Sequence, residues 1–374
     1  MNRLTLVIVL VLSIYFVGCK TDVELNAPYK STTVVFGLID PLSDMQWIKI
    51  NKTFIGSGNN LDYALIRDSS EYKWDEFDSL NIERIYNGTV LERFNIKDTL
   101  VSNKEVNGIF YGPEQTLYYV NIPFSSISSQ GHTYEECQYR LAIYFHSRPD
   151  VFSTTDVVQP RNAYITQPSG NSFVSLATSH SGFAINYNEN STVSWNPATN
   201  ATHYELTLRL NYKDSIISTG EATPRYIDYK IGTKEADPSS NTELDIKFGG
   251  EGFYAYLGAN LIKSQDIHRI LGRWDATQGK TRCFDIHMAM GNEALKNYVD
   301  VNSPVTGIIQ ERPTWTNIEN GLGLFASRSV FKQENMFIRS SNNDTGIFAM
   351  VNSPYTIELN FCEPNPNSST YSCQ

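Results

Sequence analysis

Ser191-Thr192-Val193-Ser194-Trp195, followed seven residues later by His203-Tyr204-Glu205-Leu206-Thr207-Leu208-Arg209-Leu210, decides the fold. Val193 and Trp195 fall on one face of an extended segment. Tyr204, Leu206, Leu208 and Leu210 fall on one face of the next, at the period of two that a half-buried sheet requires. Between them, 196–202 is rich in Asn, Thr and Pro and reads as a turn. Working outward, Ala163-Tyr164-Ile165-Thr166-Gln167-Pro168 is the first strand of the same module, which begins near Asn162. Ile227 to Ile231 and Leu244 to Phe248 add further strands.

This Trp-then-Tyr-x-Leu order resembles the B and C strands of fibronectin type III and immunoglobulin-like domains. Two short helical insertions interrupt the module. In Glu251 to Lys263, Phe253, Tyr254, Leu257, Leu261 and Ile262 form one stripe at helical spacing. Asn292 is placed to cap a second helix, Glu293 to Val299, with Ala294, Leu295, Tyr298 and Val299 facing inward. Between them Phe284, Ile286, Met288 and Met290 alternate with Asp285, His287 and Ala289 as a strand, which puts His287 on the less apolar face, an exposed or hydrogen-bonded position rather than a catalytic one. The later run Arg312-Pro313-Thr314-Trp315-Thr316-Asn317-Ile318-Glu319-Asn320-Gly321-Leu322-Gly323-Leu324-Phe325-Ala326 lacks the helix start and lysine of a phosphate loop and reads as a turn into a last buried strand.

Toward the N-terminus the same grammar continues with short runs. Thr33 to Ile39, Trp47 to Ile50, Leu80 to Tyr86, Val90 to Ile96, Leu117 to Ile122 and Tyr139 to Phe145 are separated by turn residues, the pattern of a β-sandwich ending near Arg148-Pro149-Asp150. The expected fold is therefore mainly β, with two β-sandwich domains. Residues 31–150 form the first and 161–361 the fibronectin type III-like second, with 362–374 as a C-terminal tail. Within the first, Asp68, Glu71, Asp75, Glu76 and Asp78 crowd five carboxylates into eleven residues. Hard cations take oxygen ligands from such loops, but the spacing fits no calcium-loop pattern, and no metal or other cofactor is expected.

The chain opens on Arg3, an apolar run from Leu4 to Val17, and Gly18-Cys19, the charged, apolar, small-residue order of an export signal. At about 20 residues per crossing the run is too short to span a bilayer. Phe16-Val17-Gly18-Cys19 resembles the bacterial lipobox, in which the cysteine receives lipid and becomes the first residue. The reading is a signal peptide over 1–18, lipidation at Cys19 and a polar tether over 19–30 that attaches the fold to a membrane. Removing 1–18 takes only Arg3 among charged residues, so the formal charge of −10 becomes about −11. That acidic balance argues against nucleic acid and against an electrostatic grip on anionic lipid.

Four cysteines follow the anchor. In an oxidising compartment Cys362 and Cys373, which flank a Pro/Asn/Ser-rich stretch, are the first candidate disulfide. Cys137 and Cys283 are either a second bridge or free buried thiols. The Asn-x-Ser/Thr triplets at Asn51, Asn87 and Asn200 would be glycosylation acceptors only in a eukaryotic secreted protein.

The anchor, Val34-Val35-Phe36-Gly37-Leu38-Ile39, Trp195 with Tyr204, the Phe284-to-Val299 strand and helix, and the Asn317-to-Phe325 run together resemble a Bacteroidetes outer-membrane lipoprotein family of unknown function. The resemblance implies an envelope accessory role beside a TonB-dependent outer-membrane transporter, and it carries no catalytic residues. Gly-x-Ser-x-Gly, His-Glu-x-x-His and close cysteine pairs are absent, and the six histidines are scattered singly. The expected role is a non-catalytic binding or accessory module. A glycan-processing enzyme with carboxylates paired by the fold, or a surface adhesin, are the alternatives.

Overall fold

The computed structural model describes residues 31–55, 59–169, 173–182, 184–237, 240–303, 314–339 and 345–373. The expected signal segment, Cys19 and the expected tether lie outside these. The protein is mainly β. Its N-terminal half contains β1 (Thr33–Ile39), β2 (Met45–Lys52), β3 (Phe77–Tyr86), β4 (Thr89–Asn95), β5 (Lys97–Ser102), β6 (Glu114–Asn121), β7 (Gln138–Phe145) and β8 (Val151–Asp156). Two short helices, α1 (Asn60–Ala64) and α2 (Arg67–Ser70), connect β2 to β3. One sheet runs β1-β2-β6-β5 and the other β4-β3-β7-β8. Val35, Ile48, Ile50 and Tyr118 from the first meet Ile82, Tyr139, Leu141 and Ile143 from the second. Although Thr33–Ile39 is apolar at nearly every position, only alternate side chains reach this core: Val35 and Ile39 are buried while Phe36 and Leu38 are exposed.

The expected break near Arg148-Pro149-Asp150 falls instead inside a hairpin. Asp150 accepts a hydrogen bond from the Phe145 N–H at 3.1 Å, and β8 continues the same sheet to Asp156.

The C-terminal half begins with β9 (Tyr164–Gln167), β10 (Phe173–Ser175), β11 (Ala177–Ser181), β12 (Ala184–Tyr187), β13 (Ser191–Asn196), β14 (His203–Ile216), β15 (Ala222–Glu235) and β16 (Leu244–Phe248). Helix α3 (Gly250–Asn260), β17 (Ile267–Leu271), β18 (Arg273–Asp275), β19 (Lys280–Gly291), α4 (Glu293–Asn302), β20 (Gly321–Arg339), α5 (Thr345–Asn352) and β21 (Phe361–Cys362) complete it. A three-stranded sheet, β16-β13-β9, faces the run β15-β14-β19-β20. With β9, β13, β14, β15, β16, β19 and β20 as strands A, B, C, C′, E, F and G, this is the strand order of a fibronectin type III sandwich. Trp195, fully buried, packs 5.5 Å from Tyr204 at its centre. Burial pushes the Tyr204 hydroxyl up to about 12, although a hydrogen bond with the Ala198 backbone opposes the rise.

Helix α3 buries Phe253, Tyr254 and Leu257 but stops at Asn260, so Leu261 is only half-buried and Ile262 stands in solvent. Helix α4 is capped by Asn292, whose side chain accepts from the Leu295 N–H. It runs on to Asn302, and its expected inward stripe is half-buried rather than buried, because it lies across the outer side of β20 instead of entering a core.

Strand β20 belongs to both halves. Its first seven residues pair in parallel with all of β1, Thr33 opposite Gly321 through Ile39 opposite Ser327. Residues from Arg328 to Phe337 then pair antiparallel with β19. The N-terminal sandwich is thus closed by an edge strand from the far end of the chain, and Ile318 and Phe325 enter its core. Buried Ser327 and Ser329 mark the crossing, donating to the Ile39 carbonyl and to Asp40 Oδ1, both at 2.9 Å.

The Asn317-to-Phe325 run owes its composition to this crossing. Asn317 brackets Phe325, donating from Nδ2 to its carbonyl at 2.6 Å and accepting at Oδ1 from its N–H at 3.0 Å. Asn320 makes the turn at φ +56°, and Gly323 lies at φ +110° against Val35. The run is a turn into a buried strand, as read, but not the last one. Helix α5 and β21 follow. Phe361–Cys362 pairs with β17, and the Glu363 N–H donates to the Tyr371 carbonyl at 2.7 Å, so the expected tail from 362 onward is folded against the second half.

Candidate functional site

Cys362 and Cys373 form a disulfide across that C-terminal loop. Cys137 and Cys283 do not bridge. Each is a buried free thiol, one in the core of each half, too far apart to meet, and burial raises both thiols above the ordinary value.

Four of the five clustered carboxylates are drawn to different cations. Asp68 pairs with Lys73 at 2.8 Å, Glu76 with Lys52 at 3.0 Å, and Asp78 with His146. Glu71 is buried and accepts from Thr116 Oγ1 at 2.7 Å and Arg67 Nε at 3.0 Å, with Lys49 at 3.4 Å. Among the described residues no group of three or more His, Cys, Asp or Glu is arranged to hold a metal ion. His287 is half-buried on the outer face of β19, and burial, with Arg209 and Lys332 nearby, lowers it below the ordinary histidine value.

Burial alone would raise the Glu71 carboxyl, but its hydrogen bonds to Thr116 and Arg67 and the Lys49 charge hold it below the ordinary value. Lys49 is itself lowered by burial, so the closer Arg67 is the stronger partner. A depressed carboxyl contributes stability above its unfolded pKa, about 4.3 for glutamate, and loses it as pH falls through the folded value. Glu71→Gln is therefore expected to be less stable than the parent at pH 7 and to show a shallower loss of stability on acidification. Urea denaturation at a series of pH values measures both, and parallel acid profiles would refute the assignment.

The chemistry-bearing cleft assembles where the two halves meet, from segments the sequence keeps far apart. Strand β8 contributes Thr154, Thr155 and Asp156 to a cleft of about 320 Å³. The turn before β14 contributes Asn200 and Thr202, the start of α4 contributes Asn292 and Glu293, and the segment before β20 contributes Trp315. Buried Asn292 donates to Thr155 Oγ1 at 2.7 Å and to the Asp156 carbonyl at 2.9 Å while capping α4, so its amide is fixed from both ends. Thr202 is held by its backbone: its N–H donates to the Gly291 carbonyl and its carbonyl accepts from the Ala236 N–H, both at 2.9 Å. Thr202 lines the cleft, and its hydroxyl is buried with no protein partner. A buried hydroxyl without a partner carries a desolvation cost of about 1–3 kcal/mol, which a hydrogen-bonding ligand would relieve.

A second hollow of about 310 Å³ shares Thr154 and Asn317 with the first and extends it toward Arg140, Tyr144 and Phe152. The Tyr144 and Phe152 rings meet edge to face at 5.6 Å, and Arg140 is committed to the buried carboxylate of Glu83. The joined groove presents aromatic side chains beside hydroxyl, amide and carboxylate groups, a combination suited to a ligand with apolar faces and many hydrogen-bonding groups. A separate cleft of about 350 Å³ near Pro168 and Phe248 is less suited, because Ser191 and Asn188 there already donate to the Ser175 carbonyl.

In the sequence Asn292 is marked as a helix cap, Asn200 and Thr202 by an Asn-x-Thr triplet, and Trp315 and Asn317 by the late run, but no spacing joins them into one site. No family model matches the sequence, and no curated protein matches it. Among solved structures it is similar to the C-terminal globular domain of an oligosaccharyltransferase from Pyrococcus abyssi, at 12% identity and a TM-score of 0.22, over 68% of this chain. The match spans 47% of that chain.

Proposed function

We propose that the protein is a cell-envelope lipoprotein, held by lipid on Cys19 in the outer membrane, that acts as a non-catalytic binding module beside a TonB-dependent transporter. Its ligand site is the groove between β8, α4 and Trp315. The observation that carries the binding role is the buried, unpartnered hydroxyl of Thr202, a residue lining a cleft whose buried amide, Asn292, is already fixed. The order of charge, apolar run and cysteine at residues 3–19 supports the anchor. A ligand bearing hydroxyl or amide groups on an otherwise apolar frame, such as a neutral oligosaccharide or a short peptide, matches the groove.

Binding is tested by calorimetry of the purified protein against a panel of neutral oligosaccharides and short peptides. Trp315→Ala and Thr202→Val are each expected to weaken the best binder by roughly five- to tenfold, the worth of one stacking contact or one hydrogen bond of about 1 kcal/mol. Unchanged affinity in both variants would move the site elsewhere, and turnover of the bound ligand would replace the binding role with an enzymatic one. Co-purification of a transporter from native membranes under mild detergent checks the partnership. Recovery of the protein alone across growth conditions would count against it.

A further inference from the structure

One end of the N-terminal sandwich exposes far more apolar side chain than the rest of its loops. It is the end from which the chain leads back to Cys19. Thr33, at the start of β1, pairs with Lys52 at the end of β2, and Ser31 and Thr32 bond to Thr53. Because β6 runs antiparallel to β2, and Ser102 at the end of β5 pairs with Glu114 at the start of β6, the 103–113 loop emerges at this same end. So do α1 and α2, tied there by the Asn51–Glu71 bridge. The two loops are joined by the Tyr111 N–H donating to the Ala64 carbonyl at 2.9 Å. On them stand Val106 (73% exposed), Ile109 (65%), Leu65 (58%), Leu61 (57%), Ile66 (53%) and Phe110 (51%), with Trp74 (50%) beside them.

Large apolar side chains clustered at loop tips have no stabilising role in water, and contiguous exposed apolar patches mark docking surfaces. The occupant follows from the position of the proposed lipid anchor. Cys19 lies twelve residues before Ser31, so a lipid on that cysteine holds this end within about 40 Å of a bilayer, the reach of a fully extended segment of that length. The charges sharing this end, Asp62, Arg67 with Glu71, Asp68 with Lys73, Lys52 with Glu76, Asp75, Lys104 and Glu105, are not basic in sum. The attraction is therefore apolar.

We infer that this end is a membrane-docking surface, with the tips of the 60–66 and 103–113 loops inserted into the lipid interface so that the sandwich stands on the bilayer instead of swinging from its tether. The inference rests on the proposed anchor for proximity, and the test separates the two. The full-length protein is produced with its own leader and reconstituted in phosphatidylcholine vesicles, and its N-terminal peptide is weighed to establish whether Cys19 carries lipid. An environment-sensitive fluorophore is attached through Ile109→Cys, Leu65→Cys or Leu42→Cys, Cys137 and Cys283 being buried. Leu42 is equally exposed, at 60%, but sits in the β1–β2 turn about 25 Å away at the opposite end.

Docking predicts blue-shifted emission, quenched by brominated lipid and indifferent to salt, at 109 and 65 but not at 42. The shift at 65 should be lost when Ile109→Asp and Phe110→Asp are combined, with the circular dichroism of the sheets unchanged. Equal emission at 109 and 42 on a protein of proven lipidation would overturn docking and leave the anchor standing. If the peptide carries no lipid, the anchor fails, and the same probes with added vesicles decide docking alone: a blue shift at 109 supports it and no change refutes it.

Discussion

Gly323→Ala is expected to be among the most damaging single substitutions in the molecule, costing about 4 kcal/mol and leaving little folded protein at 37 °C. Two effects act together. At φ +110° an L side chain adopts a rarely populated backbone conformation, at a cost of roughly 1–3 kcal/mol. An added Cβ would also lie 1.9 Å from the carbonyl oxygen of Val35, a backbone atom that cannot retreat without opening the parallel pairing of β1 with β20. Gly88→Ala provides the comparison. That residue is at φ +76° in the β3–β4 turn, but nothing lies within 4 Å of its added Cβ, so only the backbone term remains, about 1–2 kcal/mol. Urea denaturation of the two variants separates the terms, and equal losses would mean that β20 does not approach β1 as described.

Trp195→Ala is expected to destabilise the protein by about 3–5 kcal/mol, the range for emptying a large aromatic site in a core. The side chain is fully buried against Tyr204, and its neighbours come from two sheets pinned by their own hydrogen bonds, so the void cannot close. The indole Nε1 has no protein partner, however. Trp195→Phe fills most of the volume and removes an unsatisfied donor, so the cavity and the relieved desolvation partly cancel. Its expected loss is about 1 kcal/mol. Thermal melts of both variants discriminate, and a phenylalanine variant as unstable as the alanine one would show that the indole nitrogen is satisfied.

Strands with one face in a core and one in solvent announced themselves through period-two alternation. Residues 203–210 do so most clearly, and with 191–195 they carry the resemblance to strands B and C, whereas the order of the whole module appears only in the pairing. Helix α3 was legible because three large side chains recur at helical spacing on a surface element. Helix α5 was not: Thr345 to Met350 are all buried, so no polar face sets a period. The parallel union of Thr33–Ile39 with Gly321–Ser327 had no local signature, since it joins residues almost 300 positions apart.

The late run showed a peculiar composition whose reason, the close approach of Gly323 to Val35 and the bracket of Asn317 around Phe325, becomes visible only when β1 is beside it. The groove was hidden for the same reason, as Thr155, Thr202, Asn292 and Trp315 come from four separate stretches. The docking loops did carry a signal in Val106, Ile109 and Phe110, large apolar residues within a Gly- and Asn-bearing loop.

Because β1 lies between β2 and β20, the strand into which the proposed tether would lead is also an interior strand of its sheet. Tension applied at Ser31 runs along the axis of β1 and across both flanking hydrogen-bond ladders, loading their bonds in shear together rather than peeling them one after another. The antiparallel ladder passes that load into the N-terminal sandwich, and the parallel one passes it along β20 to β19 and the second half. A drag on a bound ligand, acting against the proposed lipid anchor, would thus be borne by both halves together.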